Sequence, residues 1–212
     1  MTSKRYPGKM LAPFLGKPVF DNVVNRIRLS KINPLIILAT SKDVTDDPLA
    51  LYAKHLGIKV VRGSLSDLVD RFVYTLKKFK CDAFFRVCGD SPLLLPFLFD
   101  TAVSIYKKHE YDLITNVFPK TFPPGMSIEL IKTKVFLETN KNIIKKSERE
   151  HLTKYFYQNS KKFKIFNIRC VKSISSNLKL SVDELQDLKK LEAWHANNNK
   201  DYHELFPIEK NL

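Results

Sequence analysis

Apolar residues along the chain alternate between two patterns: short unbroken runs, and stripes at spacings of three and four. Val19, Phe20, Val23, Val24 and Ile27 predict a helix over 18–30. The run at 34–40 suits a buried strand. A helical face of Leu49, Tyr52, Ala53 and Leu56 follows over 47–56, stopped by Gly57. Residues 58–61 read as a strand. Leu68, Val69, Phe72, Leu76 and Phe79 mark a helix over 66–79, with Ser66 as its N-cap. Residues 83–88 form another buried-strand run, ending in the turn cluster Gly89-Asp90-Ser91-Pro92.

The second half continues the alternation. A helix is predicted over 96–108 and strands over 111–115 and 127–131. The proline-rich segment between those strands reads as a loop or flap. Ser147 and Glu150 have capping-box spacing, which predicts a helix over 147–159. Strands at 164–170 and 178–182 precede a last helix carrying Leu185, Leu188, Leu191 and Trp194. Strands alternating with helices of this length imply βαβ units. The expected class is α/β, a mostly parallel sheet flanked by helices, with a small antiparallel flap at about 116–131. One domain over 1–196 is expected, followed by a tail from 197 to 212, with 197–201 as the loop leading into it.

An open α/β sheet binds ligands beyond the carboxyl ends of its strands. That rule selects Asp90, Asp183, Thr40, Arg62, Gly63 and Asn116, each at the end of an expected strand. Two unpaired carboxylates side by side repel, whereas a hard cation such as Mg²⁺ reconciles them. The alternative readings are a helix N-cap for Asp183 and a turn residue for Asp90. Arg5, Gly8 and Lys9 form a basic loop able to clamp phosphates. The alternative there is an ordinary basic terminus.

Composition narrows the classes. The 212 residues are 44% hydrophobic and 27% charged, which suits a globular chain. Six glycines without a triplet period exclude collagen. Three cysteines, Cys81, Cys88 and Cys170, form no C-x-x-C pair and point to free thiols in a reducing compartment. No apolar run reaches the ~20 residues that span a bilayer. A cytoplasmic location is expected. The net charge of +14 favours an anionic partner. Its lysines are scattered and no nucleic-acid motif accompanies them, so nucleic acid is not the expected partner.

Taken in order, several stretches resemble the sugar cytidylyltransferases. These are Arg5-Tyr6-Pro7-Gly8-Lys9, Gly16-Lys17-Pro18, Ala39-Thr40, Asp46-Asp47-Pro48, Val61-Arg62-Gly63-Ser64 and Asp67-Leu68-Val69-Asp70-Arg71. They continue with Arg86-Val87-Cys88-Gly89-Asp90-Ser91-Pro92-Leu93, Thr115-Asn116, Pro123-Pro124-Gly125, Ser147-Glu148-Arg149-Glu150-His151-Leu152-Thr153 and Leu180-Ser181-Val182-Asp183. The match runs from about residue 3 to 194. It is strongest to the spore coat polysaccharide biosynthesis protein F group, which is related to the CMP-Kdo and acylneuraminate synthetases.

The resemblance implies a Rossmann-like nucleotidyltransferase fold of the glycosyltransferase-A type. It also implies transfer of CMP from CTP to a sugar or sugar acid with release of pyrophosphate. Arg5 and Lys9 would hold the triphosphate. Gly8, Thr40, Arg62, Gly63, Arg71 and Gly89 would serve the nucleotide, and Asp90 and Asp183 would hold Mg²⁺. Arg86, Asn116, Glu129, Glu148 and His151 would face the acceptor. A homodimer packing Phe118 and Phe122 is a further implication, against an ordinary proline-braced loop.

Two departures stand out. Family members open with a buried central strand ending Gln-Ala-Arg, and this sequence begins after it. The expectation is either a start further upstream or a shortened, non-catalytic relic. The flap reads Pro-Asp-Gly-Leu-Asp-Val-Glu in the family. Here it is Pro123-Pro124-Gly125-Met126-Ser127-Ile128-Glu129.

Overall fold

A computed structural model describes residues 5–198 and 202–209. A short hairpin of β1 (Pro13–Phe14) and β2 (Lys17–Pro18) opens it, and α1 (Val19–Arg28) follows. Then come β3 (Ile37–Ser41), α2 (Asp47–His55), β4 (Lys59–Gly63), α3 (Leu68–Lys78), β5 (Ala83–Arg86) and α4 (Pro96–Lys108). The second half holds β6 (Leu113–Thr115), β7 (Glu129–Lys132), α5 (Thr133–Thr139), α6 (Lys146–Arg149), α7 (Lys154–Gln158), β8 (Ile165–Asn167) and α8 (Leu185–Asn198).

The α/β class and most helical stripes hold. Leu185, expected on the buried face of the last helix, is exposed at its first turn, and β5, expected as a buried strand, is half-buried throughout. The sheet also differs in its pairing. β3 and β4 form a separate parallel pair. The other four strands run in the order β5-β7-β6-β8, with β7 antiparallel to both neighbours and β6 parallel to β8. The return strand after the flap therefore lies inside the sheet. Both of its faces are covered, so Glu129, Leu130 and Ile131 are all buried.

Local chemistry explains other differences. α3 is capped by Asp67, whose carboxylate accepts from the Asp70 amide, and not by Ser66. The helix expected over 147–159 is two short helices, and its start at Lys146 places Ser147 inside the first turn, where it caps nothing. Residues 178–182 are not a regular strand. They are held by two backbone bonds, Leu180 N to Pro124 O and Val182 N to Asp90 O.

The main core joins α1, α4, the flap residues Phe122, Met126 and Ile128, and Leu180 and Val182. A second core lies under α3 and α5. Tyr202 and Phe206, placed by the sequence reading in a tail, are buried in the main core, and Ile208 bridges to Cys170. Trp194 sits edge-on to Tyr202. Of the loop expected at 197–201, Asn197 and Asn198 end α8 and residues 199–201 lie outside the described set. No helix among the described residues is long and apolar enough to cross a membrane.

Candidate active site

Gly8 has a φ of 74°, a left-handed turn that suits glycine, and sends the chain into a single 3₁₀ turn over Lys9–Leu11. That turn aims Lys9 at the carboxyl end of β5. Its ammonium donates to Asp90 Oδ2 at 2.7 Å and to the Val182 carbonyl at 2.7 Å, and lies 3.4 Å from Asp183 Oδ1. The two carboxylates expected to meet at the sheet edge thus reach one cationic nitrogen. Arg5 adds a bond to Asp183 at 2.9 Å from an exposed position.

Lys179 pairs with both Asp183 (2.9 Å) and Asp187 (2.7 Å), a role the sequence reading missed. Partial burial opposes ionisation of Asp183, and the cations of Lys179, Lys9 and Arg5 overcome it, so its pKa is lowered. The helix-cap role falls to Asp187, whose carboxylate accepts from the Asp183 and Glu184 amides. Asp183 is thereby left facing the cations.

A row of side chains crosses the sheet beside this cluster. The register sets Arg86 and Thr115 on either side of Glu129, and Asn167 beyond Thr115. Glu129 is 3% exposed. It accepts from Tyr157 Oη at 2.5 Å and from Arg86 Nη1 at 3.3 Å. Burial and the Glu129 charge raise the Tyr157 pKa far above the usual phenol range, so it remains a donor. Burial alone would lower the Arg86 pKa, but Cys88, Glu129 and Asp90 raise it. Phe118 stacks on Tyr157, with ring centroids 4.9 Å apart. Arg86, Phe118, His151, Lys154 and Tyr157 line a hollow of about 490 Å³. Tyr157 and Phe118 were not selected from sequence as site residues; only the fold shows that they meet.

The remaining expected residues have other immediate partners. Thr40 donates to Asp46 at 2.6 Å, and Ser41 donates to the same oxygen. Arg62 bonds the Ser41 and Asp43 carbonyls at 2.7 Å each and pairs with Asp47, which locks the loop after β3. Gly63 packs against Arg71, where a Cβ would lie 3.1 Å from the arginine Cγ. Burial lowers the Arg71 pKa. Gly89 admits Met10, whose Cε would lie 2.0 Å from an added Cβ. Asn116 spends both side-chain functions on the flap backbone, donating to Met126 O and accepting from Ile128 N. Glu148 is buried on α6, 3.9 Å from Lys145.

No group of three or more His, Cys, Asp or Glu residues that could hold a metal occurs among the described residues. Two converging carboxylates and a carbonyl still suit Mg²⁺, which takes one or two protein carboxylates and fills its shell with phosphate oxygens and water.

Carboxylates and cations meet at the strand ends of an α/β fold, where such folds bind their ligands. Comparison with known proteins gives the family. A cytidylyltransferase family model matches residues 1–209, and the chain belongs to that family. It is 26% identical to the spore coat polysaccharide biosynthesis protein SpsF of Bacillus subtilis, over 91% of this chain and 82% of that protein. A cytidylyltransferase structure from Leptospira borgpetersenii superposes with a TM-score of 0.85 at 30% identity, over 91% of this chain and 82% of the other. A CMP:2-keto-3-deoxy-manno-octonic acid synthetase structure in complex with CTP shares the fold, with a TM-score of 0.69 at 16% identity over 93% and 95% of the two chains.

Proposed function

We propose that this protein transfers CMP from CTP to a sugar or sugar acid and releases pyrophosphate. The observation that carries this reading is the placement of Lys9 between Asp90 and Asp183. The SpsF and CMP:2-keto-3-deoxy-manno-octonic acid synthetase relatives support a sugar acceptor.

Asp90 and Asp183 would hold Mg²⁺, which supplies charge neutralisation at the α-phosphoryl group and lowers the cost of attack by a hydroxyl. Lys9 and Arg5 bind the triphosphate and stabilise the charge that builds on the departing pyrophosphate. Gly8 allows the backbone to approach the nucleotide, Gly89 makes room for Met10 beneath the Lys9 turn, and the loop locked by Arg62 and Thr40 borders the nucleotide. Gly63 and Arg71 shape the adjoining wall. The hollow beside Arg86 receives the acceptor, with Glu129 and Tyr157 setting the guanidinium and His151 at the rim. Asn116 and Glu148 act from behind, as braces of the flap and of α6.

The test is pyrophosphate release from CTP and Mg²⁺ across a panel of neutral sugars and sugar acids. Turnover with at least one acceptor is expected, and Asp90→Ala should lower it by about two orders of magnitude or more. Full turnover by folded Asp90→Ala would overturn the site assignment.

A further inference from the structure

Scattered along the sequence, many of the lysines gather at one end of the four-stranded sheet. That end holds the starts of β5, β6 and β8 and the finish of antiparallel β7. Lys77, Lys78 and Lys80 lead from α3 into β5, and Lys107 and Lys108 end α4 just ahead of β6. Lys132 and Lys134 stand where β7 turns into α5, and Lys161, Lys162 and Lys164 run up to β8. Backbone bonds hold these stretches side by side. They run from Thr133 N to Asp82 O at 2.8 Å, from Lys132 N to Asp112 O at 3.0 Å and from Asp112 N to Lys164 O at 2.9 Å.

Stretches 77–82, 107–112, 132–134 and 161–164 together carry ten lysines, no arginine and three acids, Asp82, Glu110 and Asp112. Lys132 is half-buried and the other lysines are exposed. None of them forms an ion pair among the described residues, whereas Lys9, Arg62, Arg86, Arg149 and Lys179 all do. Neighbouring strands lie ~4.8 Å apart, within the ~8 Å over which charges still act on one another at physiological ionic strength, so adjacent stretches repel. Helix ends account for part of the pattern. Lys77, Lys78, Lys107 and Lys108 lie in last turns, where the helix dipole favours cations. Lys132 and Lys134 lie at the start of α5, where it disfavours them, and Lys161, Lys162 and Lys164 lie beyond the end of α7. Charge pooled in this way is relieved by an anionic partner outside the chain.

The side-chain chemistry selects the partner. Nucleic acid is read by arginine forks on its fixed phosphates and by exposed rings that stack on its bases. These stretches carry no arginine, and Phe79, Tyr111 and Phe163 beside their lysines are half-buried. Lysine is a compact charge on a flexible stem, which suits lipid headgroups that rearrange beneath it. An anionic leaflet attracts each lysine brought near its surface. The geometry is permissive too. The lysines stand at the amino end of β5, and the Lys9–Asp90 contact lies beyond its carboxyl end, so a surface docked on the lysines leaves the candidate active site open.

We infer that this lysine face docks the protein on the surface of an anionic lipid bilayer, without crossing it. The inference stands on the placement of charge in the fold and is independent of the nucleotide chemistry.

The experiment is co-sedimentation with vesicles of equal parts phosphatidylcholine and phosphatidylglycerol, and with vesicles of phosphatidylcholine alone. Binding is expected to the mixed vesicles only, and it should fade as salt is raised. Lys107→Gln, Lys108→Gln, Lys161→Gln and Lys162→Gln made together should weaken it by about tenfold or more. Lys141→Gln, Lys172→Gln, Lys189→Gln and Lys190→Gln remove the same charge from exposed positions elsewhere and should weaken it by less than about threefold. Circular dichroism checks that both variants are folded. No binding to the mixed vesicles, equal losses in the two variants, or equal binding to phosphatidylcholine alone would overturn the inference. So would release of the bound protein by single-stranded RNA at equal phosphate concentration, which would make nucleic acid the preferred partner.

Discussion

Lys9 and Asp90 form an ion pair across 81 positions of sequence, and the same ammonium caps the carbonyl of Val182. Lysine thus stands where a cation shared by Asp90 and Asp183 would stand. With side chains only 15% and 26% exposed, the Lys9–Asp90 pair is partly shielded from water.

On the proposed reading, a divalent ion held by Asp90 and Asp183 without nucleotide would compete with Lys9. Lys9→Met should raise the affinity for Mn²⁺ or Mg²⁺ alone by roughly three- to tenfold, the equivalent of about 1 kcal/mol for such a pair. It should also weaken CTP binding. Titration calorimetry of metal alone, then of CTP with metal, reads both changes. Weaker metal binding without nucleotide would show that Lys9 does not occupy the ion's place.

Tyr157→Phe removes one of the two donors to a buried carboxylate. The expected loss is about 1–3 kcal/mol in urea unfolding. Combined with Glu129→Gln, the loss should be clearly less than additive, because the two atoms share one hydrogen bond. Strict additivity would place the two side chains in separate roles.

Gly125 has a φ of 99°, and a Cβ there would lie 2.1 Å from the Leu180 carbonyl oxygen. The clash is with backbone that cannot swing aside. Gly125→Ala should cost about 3 kcal/mol or more. Gly57→Ala, at φ 73° with open space, should cost about 1–2 kcal/mol. Because Leu180 N also bonds Pro124 O, the first change should disturb the chain leading to Asp183 and lower CTP affinity as well.

The thiols should separate by pH. Burial pushes the Cys88 pKa above the ordinary cysteine value, with Arg86 and Lys9 opposing and Asp90 and Glu129 reinforcing the shift. A raised pKa means the thiol form persists through neutral pH, and thiolate appears only above the ordinary value. At pH 7.5 iodoacetamide should therefore label exposed Cys81 first, and Cys88 should gain reactivity only in strongly alkaline buffer. Mass spectrometry of the labelled peptides decides it, and fast labelling of Cys88 at pH 7.5 would contradict the burial effect.

The helices were legible because amphipathic stripes state their own period. Val19 to Ile27 bury the face expected of them, and α3 buries Val69 and Leu76 with Leu68 and Phe72 half-buried beside them. Strand pairing was not legible. The run around Leu130 looks the same whether it hangs in a flap or lies between β5 and β6, because a run of apolar residues carries no partner information. The same limit hid Tyr157, whose value lies in meeting Glu129 and Phe118 from other parts of the chain. Thr40 and Arg62 were readable as strand-end residues, but their engagement with Asp46, Asp47 and the loop carbonyls was not.

By itself the sequence determined the α/β class, the helices with long apolar stripes and the carboxylates and cations brought to the strand ends, since periodicity and residue type act locally. The short helices α5, α6 and α7 were not legible in it. Tertiary structure alone decided which charges meet and which strand lies between β5 and β6. Those outcomes depend on long-range register and packing, to which residues far apart contribute jointly.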